Sequence, residues 1–556
     1  MRSLVRVLTE NPRWQAALIL ASLLYVLGAI VYLYPTTLFF VGDDFGYAEN
    51  LLQSYWAGTY VPSHWLAPVN WTLSMFGAWV LGWTGNFALS SLGVNFAFFL
   101  LTLIALERVF RAVGLPPLSR ALGIVVLYAN PTLFGKTIEY TGVTLSFLFV
   151  VLSLLGFLRN APWVVFLGGL GAAFTRQSGV GVFALLAAPL LFALTRRQKP
   201  SARDVGWAAL AALGVLIAAF GLSQLPRGWT AQHYANPAVM LKEMNPMTAL
   251  QQLPVLLITW GNATVLGQLL SGHPLRRAFR RSNLVISVPF VLTLWMLGAL
   301  HAVELAPTFN MHWPGHFSLL WKLSAVAWVF IDYSALAWTP TLVAGLCASV
   351  LILVRGVIWD YYLLDILLLF LIAATQRMVA SHSRPGAAAW GLSLVSVVLV
   401  SVSIVAGANR LGRSKASTVL FEEAHRSGRV KVLESNMSDA LAGWKLFAYY
   451  VQEHNAFTER NDLMGMKNYL DGATYYVLQE GQFQAAQGAG QVEEEVASVE
   501  VGPVGLRVRY YLARLSVRRQ MPAHTTFERG VPEFRRFPTS NLEWNDLVKQ
   551  GGFFPE

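Results

Sequence analysis

Charge is what this chain lacks first. Of its 556 residues only 13% are Asp, Glu, Lys or Arg, while 55% are hydrophobic. A soluble domain carries about twice that charged fraction, so an ordinary water-soluble globule is excluded. The mean hydropathy of +0.49 agrees. Cysteine is almost absent too. Cys347 stands alone in an apolar run, which excludes a disulfide framework and a cysteine-based metal centre. There is no solenoid-type repeat. The apolar runs are long and unbroken, and that excludes a transmembrane barrel, whose strands alternate over short segments. What is there instead is the pattern of an α-helical polytopic membrane protein.

Basic residues outnumber acidic ones, 41 to 30, for a net charge of +11. In a soluble protein that excess would suggest nucleic acid. Here the basic residues fall between apolar runs, so they read as orientation signals, and no nucleic-acid partner is expected. Lys and Arg are missing altogether between Arg13 and Arg108. Arg108, Arg111 and Arg120 then cluster, which places the N-terminus and this loop in the cytoplasm. Further basic groups at Arg196–Lys199 and Arg276–Arg281 mark the same side.

The first apolar run, 14–34, is too long for a signal peptide and is followed by no small-residue cleavage site, so it reads as a retained helix. Spans follow near 89–106, 121–133 and 141–158. A short pair, 163–174 and 180–194, flanks ThrArgGlnSerGly at 175–179. Later spans fall at 205–222, before the Arg276 cluster, after it, and near 318–336, 339–354, 361–376 and 386–408. The sum is roughly thirteen transmembrane helices by span length. An odd number puts the tail outside. The expected domains are therefore 1–408, transmembrane, with a first outer loop at 36–88, and 409–556, an extracytoplasmic α/β domain. Within 36–88 the apolar run 70–83 is short, and lies at the interface or dips in. In the tail, 429–433 and 504–512 alternate like half-buried strands, and the Gly/Gln-rich text at 482–491 reads as loop.

The stretch ValGlyAspAspPheGlyTyrAlaGluAsn, 41–50, draws attention because Asp43 and Asp44 follow directly on the first apolar run. A carboxylate pair beside a bilayer is costly to bury and marks function, though Asp also serves as a helix cap or a solvated side chain. Alternation puts Lys136 and Glu139 on the same outer face. They are three residues apart, a spacing that suits an ordinary surface ion pair as well as a site. Arg176 sits at an interruption between short helices, either anchoring a helix end at the headgroups or belonging to a site. His64 is an interfacial polar residue or a ligand. Lys322 and Asp332 interrupt the apolar pattern and can pair inside the bundle.

The outer face has no nucleotide sugar or ATP. An enzyme there needs a donor already activated in the membrane, and a polyprenyl-phosphate sugar meets that need. One carboxylate can deprotonate an acceptor hydroxyl as it attacks the anomeric carbon. Cations can stabilise the charge on the leaving phosphate, and a single displacement inverts the anomeric centre. A strong general acid is not required, and the sequence carries no certain cofactor signal. A divalent metal stays open, since Asp43, Asp44 and Glu139 could offer hard oxygen ligands, while no His cluster suggests zinc. Two competing classes are a transporter or flippase for a lipid-linked sugar, which expects midplane charges and a repeated half, and an O-antigen polymerase or ligase, which expects a large outer loop late in the chain.

GlyAspAspPheGlyTyrAlaGluAsn (42–50), SerTyrTrpAlaGlyThrTyr (54–60), HisTrpLeuAlaProValAsnTrp (64–71) and ThrArgGlnSerGly (175–179) occur in that order. Together they resemble the GT-C superfamily of membrane glycosyltransferases, which includes protein O-mannosyltransferases and lipid A aminoarabinose transferases. The resemblance covers about residues 1–200. It implies a GT-C fold, with Asp43 as catalytic base. Asp44 becomes the second acidic residue, one that helps bind acceptor or metal, and Glu139 a further acidic position. The implied partners are a polyprenyl-phosphate sugar donor, a lipid, glycan or protein acceptor, and membrane lipids. Compact loops fit a bacterial inner (plasma) membrane. One departure is plain: the family's Pro-Pro pair is Pro68-Val69, and Ala67 stands where some members carry a phosphate-binding Lys. The cationic role then passes to Lys136, Arg176 or His64.

Overall fold

The computed structural model describes residues 12–33, 44–62, 70–225, 246–273, 278–301, 325–333, 338–354, 363–379, 474–515 and 541–551, with scattered positions between 398 and 420. The chain divides into two units: 1–30, 49–84 and 89–403 form the first, and 31–48, 85–88 and 404–556 the second.

Helices dominate the first unit because its apolar runs leave the backbone no partner but itself within a bilayer. In order they are α1 (Pro12–Leu33), α2 (Asp44–Ala57), α3 (Trp71–Thr84), a π turn at Leu89–Gly93 running into α4 (Val94–Val113), α5 (Pro117–Tyr128), α6 (Pro131–Ile138), α7 (Gly142–Leu158) and α8 (Pro162–Thr175). A 3-10 segment, Gln177–Phe183, leads into α9 (Ala184–Thr195) and α10 (Ala202–Gln224). Then come α11 (Pro246–Leu270), α12 (Arg281–His301), a second 3-10 segment at Ala325–Phe330, α13 (Pro340–Val354) and α14 (Leu363–Val379). Helices α1 and α2 each straddle the division between the units.

Among the described residues four helices are long and apolar enough to cross a membrane: Leu89–Val113, Ser178–Thr195, Ala202–Gln224 and Leu253–Leu270. The bent pair α5–α6 makes a fifth if it counts as one span. The first runs about 37 Å at 1.5 Å per residue, more than the roughly 30 Å hydrocarbon core. Other apolar helices, such as α7, α8 and α14, are shorter. Helix α10 leaves Leu213, Leu216 and Phe220 exposed, and α12 does the same with Val285, Leu292 and Met296. Contiguous apolar surface of this kind needs lipid or protein against it.

Three boundaries differ from expectation. The first outer segment holds a helix that was not expected, α2, besides α3, which covers the short apolar run read at 70–83. The span expected at 121–133 is two helices. Asn130 ends one and starts the other: its side chain accepts from the N–H of Thr132 at 2.9 Å and of Leu133 at 3.3 Å, with Pro131 in the first turn. An Asn cap followed by proline is a strong start signal, and it overrides the apolar run. The sequence reads Pro226–Leu250 as an outer loop, and α11 already begins at Pro246.

The second unit contains a three-stranded antiparallel sheet in the order β1 (Thr474–Gln479), β3 (Val508–Leu515), β2 (Val492–Val501). Tyr475 faces Arg514 across one pair, and Val501 faces Val508 across the other. Its core gathers Val501, Tyr510 and Leu512 with Ala416 and Leu420. The text expected as loop at 482–491 is largely helix α15 (Glu480–Gly488). A reciprocal Gln479–Gln482 capping box starts it, and Phe483 stacks on Tyr511 at 4.1 Å. The strand expected at 504–512 begins only at Val508, and 429–433 lies outside the described residues. Helix α16 (Asn541–Gln550) uses Asn545 and Asn541 to accept from the N–H groups of Phe87 and Ala88 at 2.8 and 3.0 Å.

Candidate functional site

Helix α6 is only eight residues long, and its C-terminal carbonyls have no partner within the helix. Side chains from neighbouring helices supply them. Thr144 on α7 donates to the Lys136 carbonyl at 3.1 Å. Asn95 on α4 donates to the carbonyls of Thr137 and Glu139, at 3.0 and 2.8 Å. The N–H of Thr141 also reaches the Glu139 carbonyl at 3.0 Å. The chain is thereby held extended at Glu139, where φ is −91° and ψ 147°.

Here Lys136 and Glu139 meet. The ammonium donates to the carboxylate at 2.6 Å, and the two side chains keep 8% and 2% exposure. The spacing suited a surface pair, and the structure makes it a buried one. Removing either partner would strand a charge away from water, which is far costlier than losing an exposed pair.

Arg176 is buried as well. It sits in extended conformation, φ −152° and ψ 137°, between α8 and the 3-10 segment. Its N–H donates to the Ala172 carbonyl, and its own carbonyl accepts from Gly179, both at 2.8 Å. Gly179 is required for this fold-back, because a Cβ there would fall 2.2 Å from the Ala172 carbonyl carbon. Arg176 acts electrostatically on Asp365, in the first turn of α14.

Gly142 joins the two features. A Cβ at that position would lie 3.1 Å from Asn70 Oδ1 and 3.3 Å from the Thr175 carbonyl. The Glu139–Gly142 turn therefore packs on the residue preceding Arg176, and Asn70 closes the same corner. Asn70 binds Ser74 through Nδ2 at 3.1 Å, and its backbone bonds the hydroxyl of Tyr60. Burial pushes the Tyr60 phenol up to about 12. Tyr140 in the same turn is fully buried, and burial holds its phenol well above the ordinary value.

The structure thus brings together Lys136, Glu139 and the Arg176 break. Asp44 opens α2 and falls in the second unit. Asp43 and His64 lie outside the described residues. Sequence reasoning missed Asn70, Asn95, Thr141 and Asp365. The signal for Asn95 and Asp365 was present, a polar residue within an apolar run. Asp332 pairs with His273 at 2.9 Å; Lys322, with which it was expected to pair, lies outside the described residues. The Arg111 and Arg120 cluster shares Glu107, at 3.3 and 3.0 Å.

No protein-family model, curated protein or solved structure matches the chain. Function therefore has to be argued from the site itself. Among the described residues no three His, Cys, Asp or Glu side chains come together. The charge of Glu139 is already matched by Lys136, so this carboxylate suits a divalent cation poorly.

Proposed function

We propose that the protein is an inverting glycosyltransferase of GT-C type, which moves a sugar from a polyprenyl phosphate to an acceptor hydroxyl on the extracytoplasmic face. The supporting observation is the meeting of the Glu139 turn with the Arg176 break through Gly142 and Thr175. Buried cations at two neighbouring helix ends, Lys136 at the end of α6 and Arg176 at the end of α8, suit an anionic substrate. Arg176, which also acts on Asp365, is assigned the charge on the leaving phosphate.

The resemblance of the sequence, rather than any placement in the structure, assigns the general base: the Asp43 carboxylate takes the acceptor hydroxyl proton as that oxygen attacks the anomeric carbon. The bond from that carbon to the phosphate oxygen breaks, and polyprenyl phosphate leaves with the electron pair. Arg176 stabilises the charge that appears there. Asp44 helps to hold the acceptor. No step is routed through a metal. Asp43→Asn should leave protein abundance unchanged and lower transfer by about a hundredfold or more. Full transfer by that variant would remove Asp43 from the mechanism.

A second reading draws on the same broken helix: a transporter of a lipid-linked sugar also places charges at helix interruptions. The two part on chemistry, because a transporter moves the intact lipid-linked sugar and leaves no glycosylated product.

A further inference from the structure

Helix α3 touches three chain ends that already meet. Asn95 donates to the Glu139 carbonyl, and Gly142 lies against Thr175. The head of α4, the Glu139–Gly142 turn and the end of α8 are thereby one cluster. Across it runs α3. Its first residue, Trp71, stands edge-to-face with Phe174 of α8 at 5.9 Å. Near its middle, a Cβ on Gly77 would fall 3.0 Å from both the Ser90 carbonyl oxygen and the Tyr140 hydroxyl. Its last residue, Thr84, brings its hydroxyl within 3.5 Å of that of Ser90. Both ends of a helix about 20 Å long are therefore level with the same cluster. A helix dipping into the bilayer would carry one end down along a neighbour instead.

The face turned to the bundle holds Leu73, Ser74, Gly77, Ala78 and Leu81. The opposite face presents Phe76, Trp79 and Trp83, all exposed, Trp83 at 79%. Their ring centroids are 5.7 and 4.9 Å apart in turn. No charged residue occurs in α3, and an apolar stripe of this kind does not suit water. Phe76 also meets Phe98 at 5.4 Å, roughly 12 Å further into the span than Ser90. Beyond Phe98, Leu101 and Ile104 are exposed on that same spanning helix. The stripe thus continues a lipid-facing surface. Tryptophan suits the headgroup level of such a surface, where its ring meets acyl chains and its N–H meets water or phosphate.

We propose that α3 lies in the plane of the bilayer at its outer surface, with Phe76, Trp79 and Trp83 seated at the boundary between headgroups and acyl chains. The sequence left two placements open for 70–83, at the interface or dipping in, and the contacts of Trp71, Gly77 and Thr84 select the first. The contact of Trp71 with Phe174 then sets Arg176 at the depth of the lipid phosphates. The inference rests on the membrane class of the chain and not on the glycosyltransferase reading, so its failure would leave that reading untouched.

The test places a nitroxide at single cysteines, Phe76→Cys, Trp79→Cys and Trp83→Cys, in a Cys347→Ser background of the full chain in phosphatidylethanolamine and phosphatidylglycerol nanodiscs. Leu213→Cys, exposed midway along α10, marks the deep level. Depth is read from collisions with oxygen and with a water-soluble nickel chelate. The three stripe positions should agree within about 4 Å, because they share one face, and all should be shallower than position 213. A difference of about 10 Å between 76 and 83 would mean an upright helix and overturn the proposal. So would free access of the nickel chelate to all three, which means water, or exclusion of both reagents, which means a protein partner or a second copy. Should a cysteine variant not fold, Trp79→Phe combined with Trp83→Phe gives the same answer by fluorescence. The pair should lower tryptophan quenching by lipids brominated near the headgroup more than by lipids brominated near the chain end. Equal or reversed losses would contradict the placement.

Discussion

Lys136 and Glu139 show how burial changes the meaning of a charge pair. On a surface their contact would be worth less than about 1 kcal/mol. Nearly sealed from water, each charge needs the other. Lys136→Met should therefore cost about 3–5 kcal/mol, and Lys136→Met combined with Glu139→Gln should cost clearly less. Chemical unfolding in detergent would show this, and additive losses would mean the pair is not coupled. Tyr60 gives a pH prediction at the same scale. Its phenol ionises near 10 in the unfolded chain and near 12 when buried. Between those values the unfolded state loses its proton first, so stability falls as pH rises, by up to about 1.4 kcal/mol per unit. Tyr60→Phe should flatten the decline in melting temperature from pH 10 to 12, and an unchanged slope would contradict it. The charged members of the corner could be read from the sequence because they stand out against apolar text. Asn95 stands in an apolar run as well, but the sequence does not say that it meets the Thr137 and Glu139 carbonyls, and Thr141 carries no such signal.

Among the elements, the break at Arg176 does most to shape the site. ThrArgGlnSerGly interrupts two apolar runs, and the interruption was readable for that reason. The tight return of the chain was not, since it depends on Gly179 lying against the backbone of α8. Gly179→Ala should disrupt folding or lower the melting temperature sharply. Gly206→Ala, in α10 with nothing within 4 Å of the added Cβ, should be neutral or slightly stabilising. Equal behaviour of the two variants would refute the close-approach argument. The α5–α6 break was hidden by the hydrophobicity of 121–133, although AlaAsnPro at 129–131 carries its signature. Helix α15 was hidden in the opposite way. Its Gln-rich text has little hydrophobic periodicity, and only the capping box and Phe483 tie it to the sheet.

For the whole molecule, composition sufficed for a helical membrane class and for a smaller unit with a sheet toward the C-terminus. The number of spans is a finer matter: among the described residues four segments, or five with the bent pair, are long and apolar enough to cross, and the spans expected at 318–336 and 386–408 fall largely outside those residues. Length and hydropathy count every apolar run, whereas 3-10 segments, capped breaks and short helices divide those runs in the folded chain. The proposed chemistry depends on sidedness, because a lipid-linked sugar donor is needed only where nucleotide sugars are absent. The most direct test places a single cysteine at Asp44 or, as a control, at Arg111, in a Cys347→Ser background. Intact cells are then treated with a membrane-impermeant maleimide. The account predicts labelling at position 44 from outside, and at 111 only after the membrane is opened. Labelling at 111 from outside, with 44 reached only after opening, would contradict it.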